Sequence, residues 1–456
     1  MLFNSLIFFA LLLPTLVLYW ASSSQQFRLL LLVAASLLFY GFDHWASVFL
    51  LLFTVPFNFF IGRAQRPGRS KMLLVLAVAI NLSLLCWFKY VVFIAEYVNV
   101  LLSFLGTTLS APHPTGFLPL GISFSTFQVV AYQIDVYRGE IQAETSLLRF
   151  AVFKCFFPQL IAGPIVRAKE FLPQLYERRK FDAATFHQGL WLVIAGLFLK
   201  IGVADILAQF ANEAFRTPSN LTTIGAWTGL YAYGFQLFAD FWGYSTMAMG
   251  LAALFGFALP LNFDTPYFST SLQEFWRRWH ITLSFWFRDY VYIPLGGSRQ
   301  RRNVNLLVTM LLVGLWHGTG WTFMIWGVAH GLWLCVERSL PSSDKMNDPV
   351  SRAVKTFLVF NGVCLLWVLF RAPTFSVAME YFSRLLLPPF TFSKIPPVLL
   401  WWLIVFAVAH RPLAWSLKEY RFAQFPLKLQ WTLALACLYF ILVYAGAKVD
   451  FIYFSF

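Results

Sequence analysis

Charge is what this sequence has least of. Only 12% of its 456 residues are Asp, Glu, Lys or Arg, against roughly 25% in an ordinary soluble domain. That is too little to coat a soluble fold of this size. Cysteine is scarce and scattered: Cys86, Cys155, Cys335, Cys364 and Cys437 lie in or beside apolar runs. With no CxxC pair and no two close together, they form neither a disulfide framework nor a zinc site, and read as buried, unreactive thiols. No low-complexity tract or internal repeat is detectable. The most polar stretch, 338–355, is short enough to be a loop, so no long soluble domain is present. Walker, GxSxG and HExxH signatures are all missing, and with them the usual marks of nucleotide hydrolysis, serine hydrolysis and zinc proteolysis.

What is abundant is apolar surface. Hydrophobic residues make up 59% of the chain, including 52 Phe, and the mean hydropathy is +0.68. Disorder is excluded by the same composition. The chain therefore reads as an all-α polytopic membrane protein. The first 20 residues have neither a basic n-region nor a small-residue cleavage site, so they are expected to remain as the first transmembrane helix. Further apolar stretches lie near 28–42, 45–62, 72–106, 117–136, 148–165, 186–204, 224–256, 305–335, 355–371, 398–411 and 429–447. At about 20 residues per crossing, they predict roughly ten to twelve spans with re-entrant and interfacial helices between them. The 72–106 stretch, carrying Lys89 and Glu96, is expected to bend or double back. The 148–165 stretch, with Pro and Gly inside, is expected to be re-entrant.

The 34 Lys and Arg against 20 Asp and Glu give a net charge of +14. These charges are dispersed between apolar runs, which excludes nucleic acid as a partner and fits the positive-inside rule. Three basic connections are placed in the cytoplasm: Arg63, Arg66, Arg69 and Lys71; Arg167, Lys169, Arg178, Arg179 and Lys180; Arg299, Arg301 and Arg302. Counting back two spans, split at Asp43 and His44, puts the N-terminus outside. The chain is read as one membrane domain, with N-terminal helices over 1–110, a central core over 117–337 and C-terminal helices over 355–456.

Ionisable residues inside a bilayer are costly and mark function by default. Two segments carry them. The stretch 273–302 mixes Trp and Phe with Arg277, Arg278, His280, Arg288 and Asp289. It reads as a helix lying in the cytoplasmic interface, with its arginines snorkelling. It ends in a Gly296–Gly297 turn, where backbone amides and Arg299 are positioned to meet a phosphate; ordinary membrane anchoring is the alternative. In 311–331, His317 sits in an apolar span between Trp316 and Gly318, with Gly314, Gly318 and Gly320 expected to open space beside it. A histidine there is poised as a general base. His330, thirteen residues on, reads as structural. No histidine spacing supports a metal site.

Five motifs carry a resemblance: PLGISFSTFQVVAYQIDVYRG (119–139), FFPQLIAGPIVR (156–167), EFWRRWHITLSFWFRDYVYIPLGG (274–297), LWHGTGWTFMIWGVAHG (315–331) and FIYFSF (451–456). Through them the chain resembles the membrane-bound O-acyltransferase (MBOAT) family, in its bacterial polysaccharide-acetylating branch. The first hundred residues match only in hydropathy. The resemblance implies a helical bundle around a central pore. It implies His317 as the catalytic residue and His280 as a second active-site histidine, supported by Trp316, Gly318, Asp289 and Asp240. It implies that Arg278, Gly296, Gly297 and Arg299 meet the phosphates of acetyl-CoA as acyl donor, with no bound cofactor or metal. It further implies a bacterial inner-membrane location, a periplasmic acetyltransferase partner of the SGNH type, polysaccharide export machinery, and an alginate-like exopolysaccharide as the acetylated polymer. At 240–250 the chain reads DFWGYSTMAMG where relatives often have DFSGYSDMAIG, which removes an acid. Peptidoglycan O-acetylation and D-alanyl transfer to teichoic acid are the rival activities within the family. A transporter is the rival outside it, and no repeated halves support one. A scaffold that only recruits the periplasmic enzyme would not need a histidine in hydrocarbon.

Overall fold

In the computed structural model, residues 1–107, 119–340, 348–388, 390–391, 394–418, 421–444 and 451 are described. Among them all regular structure is helical, as the composition predicts. Six helices are long and apolar enough to cross a bilayer: Ala46–Ala64, Lys71–Phe104, Ala183–Arg216, Pro349–Arg371, Pro397–Ser416 and Leu427–Tyr444. Leu6–Ala21 and Gln25–Gly41 are shorter apolar helices. Lys71–Phe104 and Leu427–Tyr444 expose most of their apolar side chains. In a polytopic membrane protein such faces meet lipid rather than water.

The described residues divide into two compact units, Met1–Asp182 with Leu254–Leu259, and Ala183–Ala253 with Pro260–Phe456. In the first, Asp43 and His44 do separate the Gln25–Gly41 and Ala46–Ala64 helices. The stretch expected to double back instead forms one continuous 34-residue helix, Lys71–Phe104. It contains no Gly or Pro to break it, and it runs for about 50 Å at 1.5 Å per residue. The 148–165 stretch is broken as expected: Leu147–Cys155 ends at Phe156, and a four-residue turn, Phe157–Leu160, follows. Buried amides tie this unit together. Gln65 Nε2 donates to Gln133 Oε1 (2.5 Å), Gln133 Nε2 to the Asn58 carbonyl (2.7 Å), and Asn81 Nδ2 to Asn58 Oδ1 (2.8 Å). Side-chain amides that satisfy one another are the available glue where packing gains nothing from excluding water.

Glycine seams organise the second unit. Gly189 and Gly196 face Gly250 and Gly243 on the antiparallel helix Thr223–Leu254. A Cβ on Gly196 would lie 2.7 Å from the Gly243 carbonyl oxygen, and one on Gly250 equally close to that of Gly189. The backbones meet closely because nothing larger than hydrogen intervenes. A second seam joins Arg302–His317 to Trp321–Ser339, where a Cβ on Gly314 would meet the Phe323 carbonyl oxygen at 2.3 Å and one on Gly327 that of Met310 at 2.3 Å. The 305–335 stretch is thus a tight helical hairpin, turning at 318–320.

Candidate active site

The hairpin decides what surrounds His317. It closes the last turn of Arg302–His317 and is 3% exposed. Its ring lies 4.9 Å from Trp316, 5.4 Å from Trp326 and 5.0 Å from Phe370. The glycines around it leave no open space. Phe323 fills it: a Cβ on Gly318 would sit 2.2 Å from the Phe323 ring. Their role is to let the second helix fold back. That return brings the second helix's Trp326 to His317; His330, one turn after Trp326 on that helix, packs on the same indole at 4.7 Å and on Trp276 at 5.2 Å.

His280 joins the same cluster from the other motif. The 273–302 stretch is not one helix. Leu272–Arg278 and Ile281–Phe287 are separated at His280, which has φ +42°. A non-glycine residue in the left-handed region is uncommon and is held there by its surroundings. Here the hold comes from Asn262. Its carbonyl accepts from the Ile281 amide (2.9 Å) and its Oδ1 from Thr282 Oγ1 (2.7 Å), which caps the second helix in place of His280 itself. The fully buried His280 ring lies 5.9 Å from Trp316 and 4.6 Å from Phe241. The two histidines therefore share one indole, that of Trp316. Asn262 was not singled out in the sequence; its type in a loop carries no signal without the fold.

Asp240, one residue before Phe241, is buried with Lys200 Nζ 2.9 Å from its Oδ1; the same ammonium lies 2.7 Å from Asp205 Oδ1. The first glycine seam sets this register, since Lys200 follows Gly196 by one turn and Asp240 precedes Gly243 by three residues. Lys200 lies in a π-helical turn, Phe198–Ala204, a local widening common at functional positions. A lysine inside an apolar span was the available signal that an acid must be near. Trp242, which replaces a small family residue, stacks on Phe238 at 5.0 Å. Of the closing motif only Phe451 lies among the described residues; it stacks on Tyr244 at 4.7 Å.

A cavity of about 490 Å³ leads toward the cluster. Leu306, Met310 and Val313 line it from one face of the hairpin helix, and Val313 precedes His317 by one turn. Trp276 closes its inner side, with His330 behind it. Arg277, Arg288 and Arg338 rim it. The Gln273 amide oxygen, turned to satisfy both neighbours, accepts from Arg277 (3.0 Å) and Arg338 (3.1 Å). Glu337 anchors the rim by accepting the Leu272 and Gln273 amides (2.6 and 3.1 Å). Glu274 accepts from the Thr270 amide and hydroxyl and pairs with Arg278 (2.8 Å). Although burial alone would raise its pKa, these partners hold it below the usual carboxylate value.

None of the remaining sequence candidates lines that cavity. Arg278 is engaged by Glu274, by Thr265 Oγ1 (3.1 Å) and by the Asp264 carbonyl (3.2 Å). Asp289 pairs with the neighbouring Arg288 (2.6 Å). The Gly296 and Gly297 amides, which would have to face an anion, donate instead to the Ile293 and Tyr292 carbonyls. Asn305 holds the same turn by donating to the Gly297 and Gln300 carbonyls. Arg299 is exposed there, at the opposite end of the 16-residue helix from His317, a separation of about 22 Å.

The geometry is thus two buried histidines on one indole, with an arginine-bearing apolar cavity that approaches them as far as Val313, one turn before His317. Residues 81–371 match the model of MBOAT, the membrane-bound O-acyltransferase family. The chain is 40% identical over 399 residues to the probable alginate O-acetylase AlgI of Pseudomonas aeruginosa, covering 84% of this chain and 75% of that protein. It is 36% identical over 380 residues to a peptidoglycan O-acetyltransferase of Helicobacter pylori, covering 76% and 71%. It is 31% identical over 284 residues to a teichoic acid D-alanyltransferase of Streptococcus thermophilus, covering 55% and 68%. With most of its length matched, the chain belongs to the membrane-bound O-acyltransferase family and is a multi-pass membrane O-acyltransferase.

Proposed function

We propose that this O-acyltransferase takes acetyl groups from cytosolic acetyl-CoA for the O-acetylation of an exported, alginate-like polysaccharide, with His317 as general base. The observation that carries this reading is the cavity that joins the Arg277–Arg288–Arg338 rim to the turn before His317. Guanidinium groups suit phosphates, and the apolar channel suits the pantetheine arm. We assign the phosphates to these arginines rather than to the Gly296–Gly297 turn, whose amides are already engaged. The rim lies beside the basic 299–302 connection, which favours a cytoplasmic donor side and an outside N-terminus in a bacterial inner membrane.

In the reaction, an acceptor hydroxyl attacks the thioester carbonyl carbon while His317 takes its proton. The C–S bond then breaks, and the departing thiolate takes that proton from the imidazolium. General-base assistance of this kind contributes about 10² to 10⁴ in rate. His280, packed on the same Trp316 indole, orients the reacting groups. The relatives named for alginate favour alginate-like chemistry over peptidoglycan or D-alanyl transfer. The outward acceptor is then a periplasmic acetyltransferase of the SGNH type working with the export machinery.

The test uses the purified full chain in proteoliposomes with acetyl-labelled CoA. Release of free CoA should require the partner transferase. O-acetyl groups on secreted polysaccharide, measured by mass analysis, should disappear without the gene. Equal turnover from a D-alanyl carrier-protein thioester, or unchanged polysaccharide acetylation, would overturn the assignment.

A further inference from the structure

The second unit holds another cavity, which the reaction does not use. It encloses about 620 Å³ and is lined by Phe235, Phe268 and Phe360, with Arg352, Arg411 and His410 around it. No Asp or Glu lines it. Neither Arg352 nor Arg411 forms an ion pair among the described residues. The Arg411 guanidinium rests 4.2 Å from the centre of the Phe268 ring. His410 is 2% exposed; its ring packs 4.5 Å from Phe268 and meets the backbone of Phe406 and Ala407 on its own helix. Two guanidiniums with no carboxylate beside them are the groups that a ligand would satisfy.

The position narrows the ligand. Pro349 and Arg352 lie in the first turn of the helix Pro349–Arg371, which begins inside the polar 338–355 stretch expected to be a loop, so the mouth lies at the polar end of an apolar, membrane-length helix. Two guanidiniums recognise a phosphate through charge-assisted hydrogen bonds. The phenylalanine walls exclude a freely hydrated ion and suit a hydrocarbon tail. We infer that this cavity binds an anionic phosphate amphiphile, with the phosphate between Arg352 and Arg411 and the tail along Phe357 and Phe360. The site is separate from the donor channel and stands whether or not His317 is the base.

Two lipids have this chemistry, a phosphatidylglycerol and a polyprenyl phosphate, and native mass spectrometry of the purified full chain separates them. The protein is titrated with each, with phosphatidylcholine and with inorganic phosphate. One or both anionic lipids should bind selectively, and Arg352→Gln/Arg411→Gln should weaken that binding about tenfold or more. Ala353→Trp, which fills the cavity wall and keeps both arginines, should also abolish it. Equal binding of phosphatidylcholine, binding of inorganic phosphate alone, or full affinity in both variants would overturn the inference. If both variants misfold, lipid selectivity of the unmodified protein decides it.

Discussion

Replacing His317 tests the proposed chemistry most directly, provided that base function and packing are separated. His317→Gln removes the base and the ring together. Its ring meets Trp316, Trp326 and Phe370 at 4.9–5.4 Å. If each contact contributes like an aromatic pair, about 0.5–1.5 kcal/mol, losing three costs on the order of 2–4 kcal/mol of stability. His317→Phe keeps a ring in the same place and cannot take a proton. The two variants should therefore differ in melting temperature and agree in chemistry. A loss of about 10² to 10⁴ in kcat, or about 3–5 kcal/mol of barrier, is expected for both. The assay is CoA release from acetyl-CoA in proteoliposomes with the partner transferase present, normalised to folded protein from a thermal melt. A His317→Phe enzyme within about tenfold of the native rate would refute the general-base role. A loss confined to His317→Gln that follows its melting temperature would show that the ring only packs.

Other perturbations follow from the same geometry. Gly318→Ala places a Cβ against the Phe323 ring, an overpacking that should cost about 1–3 kcal/mol; Phe323→Ala in the same chain should recover part of the loss in a thermal melt. Lys200→Met leaves two buried carboxyls facing one another and should cost about 3–5 kcal/mol, whereas Lys200→Met/Asp205→Asn/Asp240→Asn should cost less. Arg277→Gln/Arg338→Gln should raise KM for acetyl-CoA by about tenfold or more with a smaller change in kcat, and the native KM should rise with salt as exposed charges are screened. A changed kcat at native KM would remove these arginines from donor binding.

The sequence alone determined the membrane class, the helical architecture and the motifs that contain His280 and His317, because each rests on composition or on short contiguous patterns. A helix break such as Phe156–Pro158 is equally local. So is the unbroken Lys71–Phe104 helix: it contains no Gly or Pro, and Lys89 and Glu96 alone do not turn the chain back. Other features needed partners distant in the chain. Only the folded hairpin packs both His317 and His330 on Trp326, since a thirteen-residue spacing puts them on no common helical face. Only the approach of Asn262 explains how His280 sits at positive φ between two helices. The anion-binding reading of Gly296–Gly297 depended on amides whose hydrogen bonds are invisible in sequence. The Lys200–Asp240 pair was legible in part, as a lysine that needed an acid; the acid was chosen by backbones that approach only where both carry glycine. Patterns along the chain report what each segment is, whereas burial, register and hydrogen-bond partners belong to pairs of segments, and the tertiary structure alone brings those pairs together.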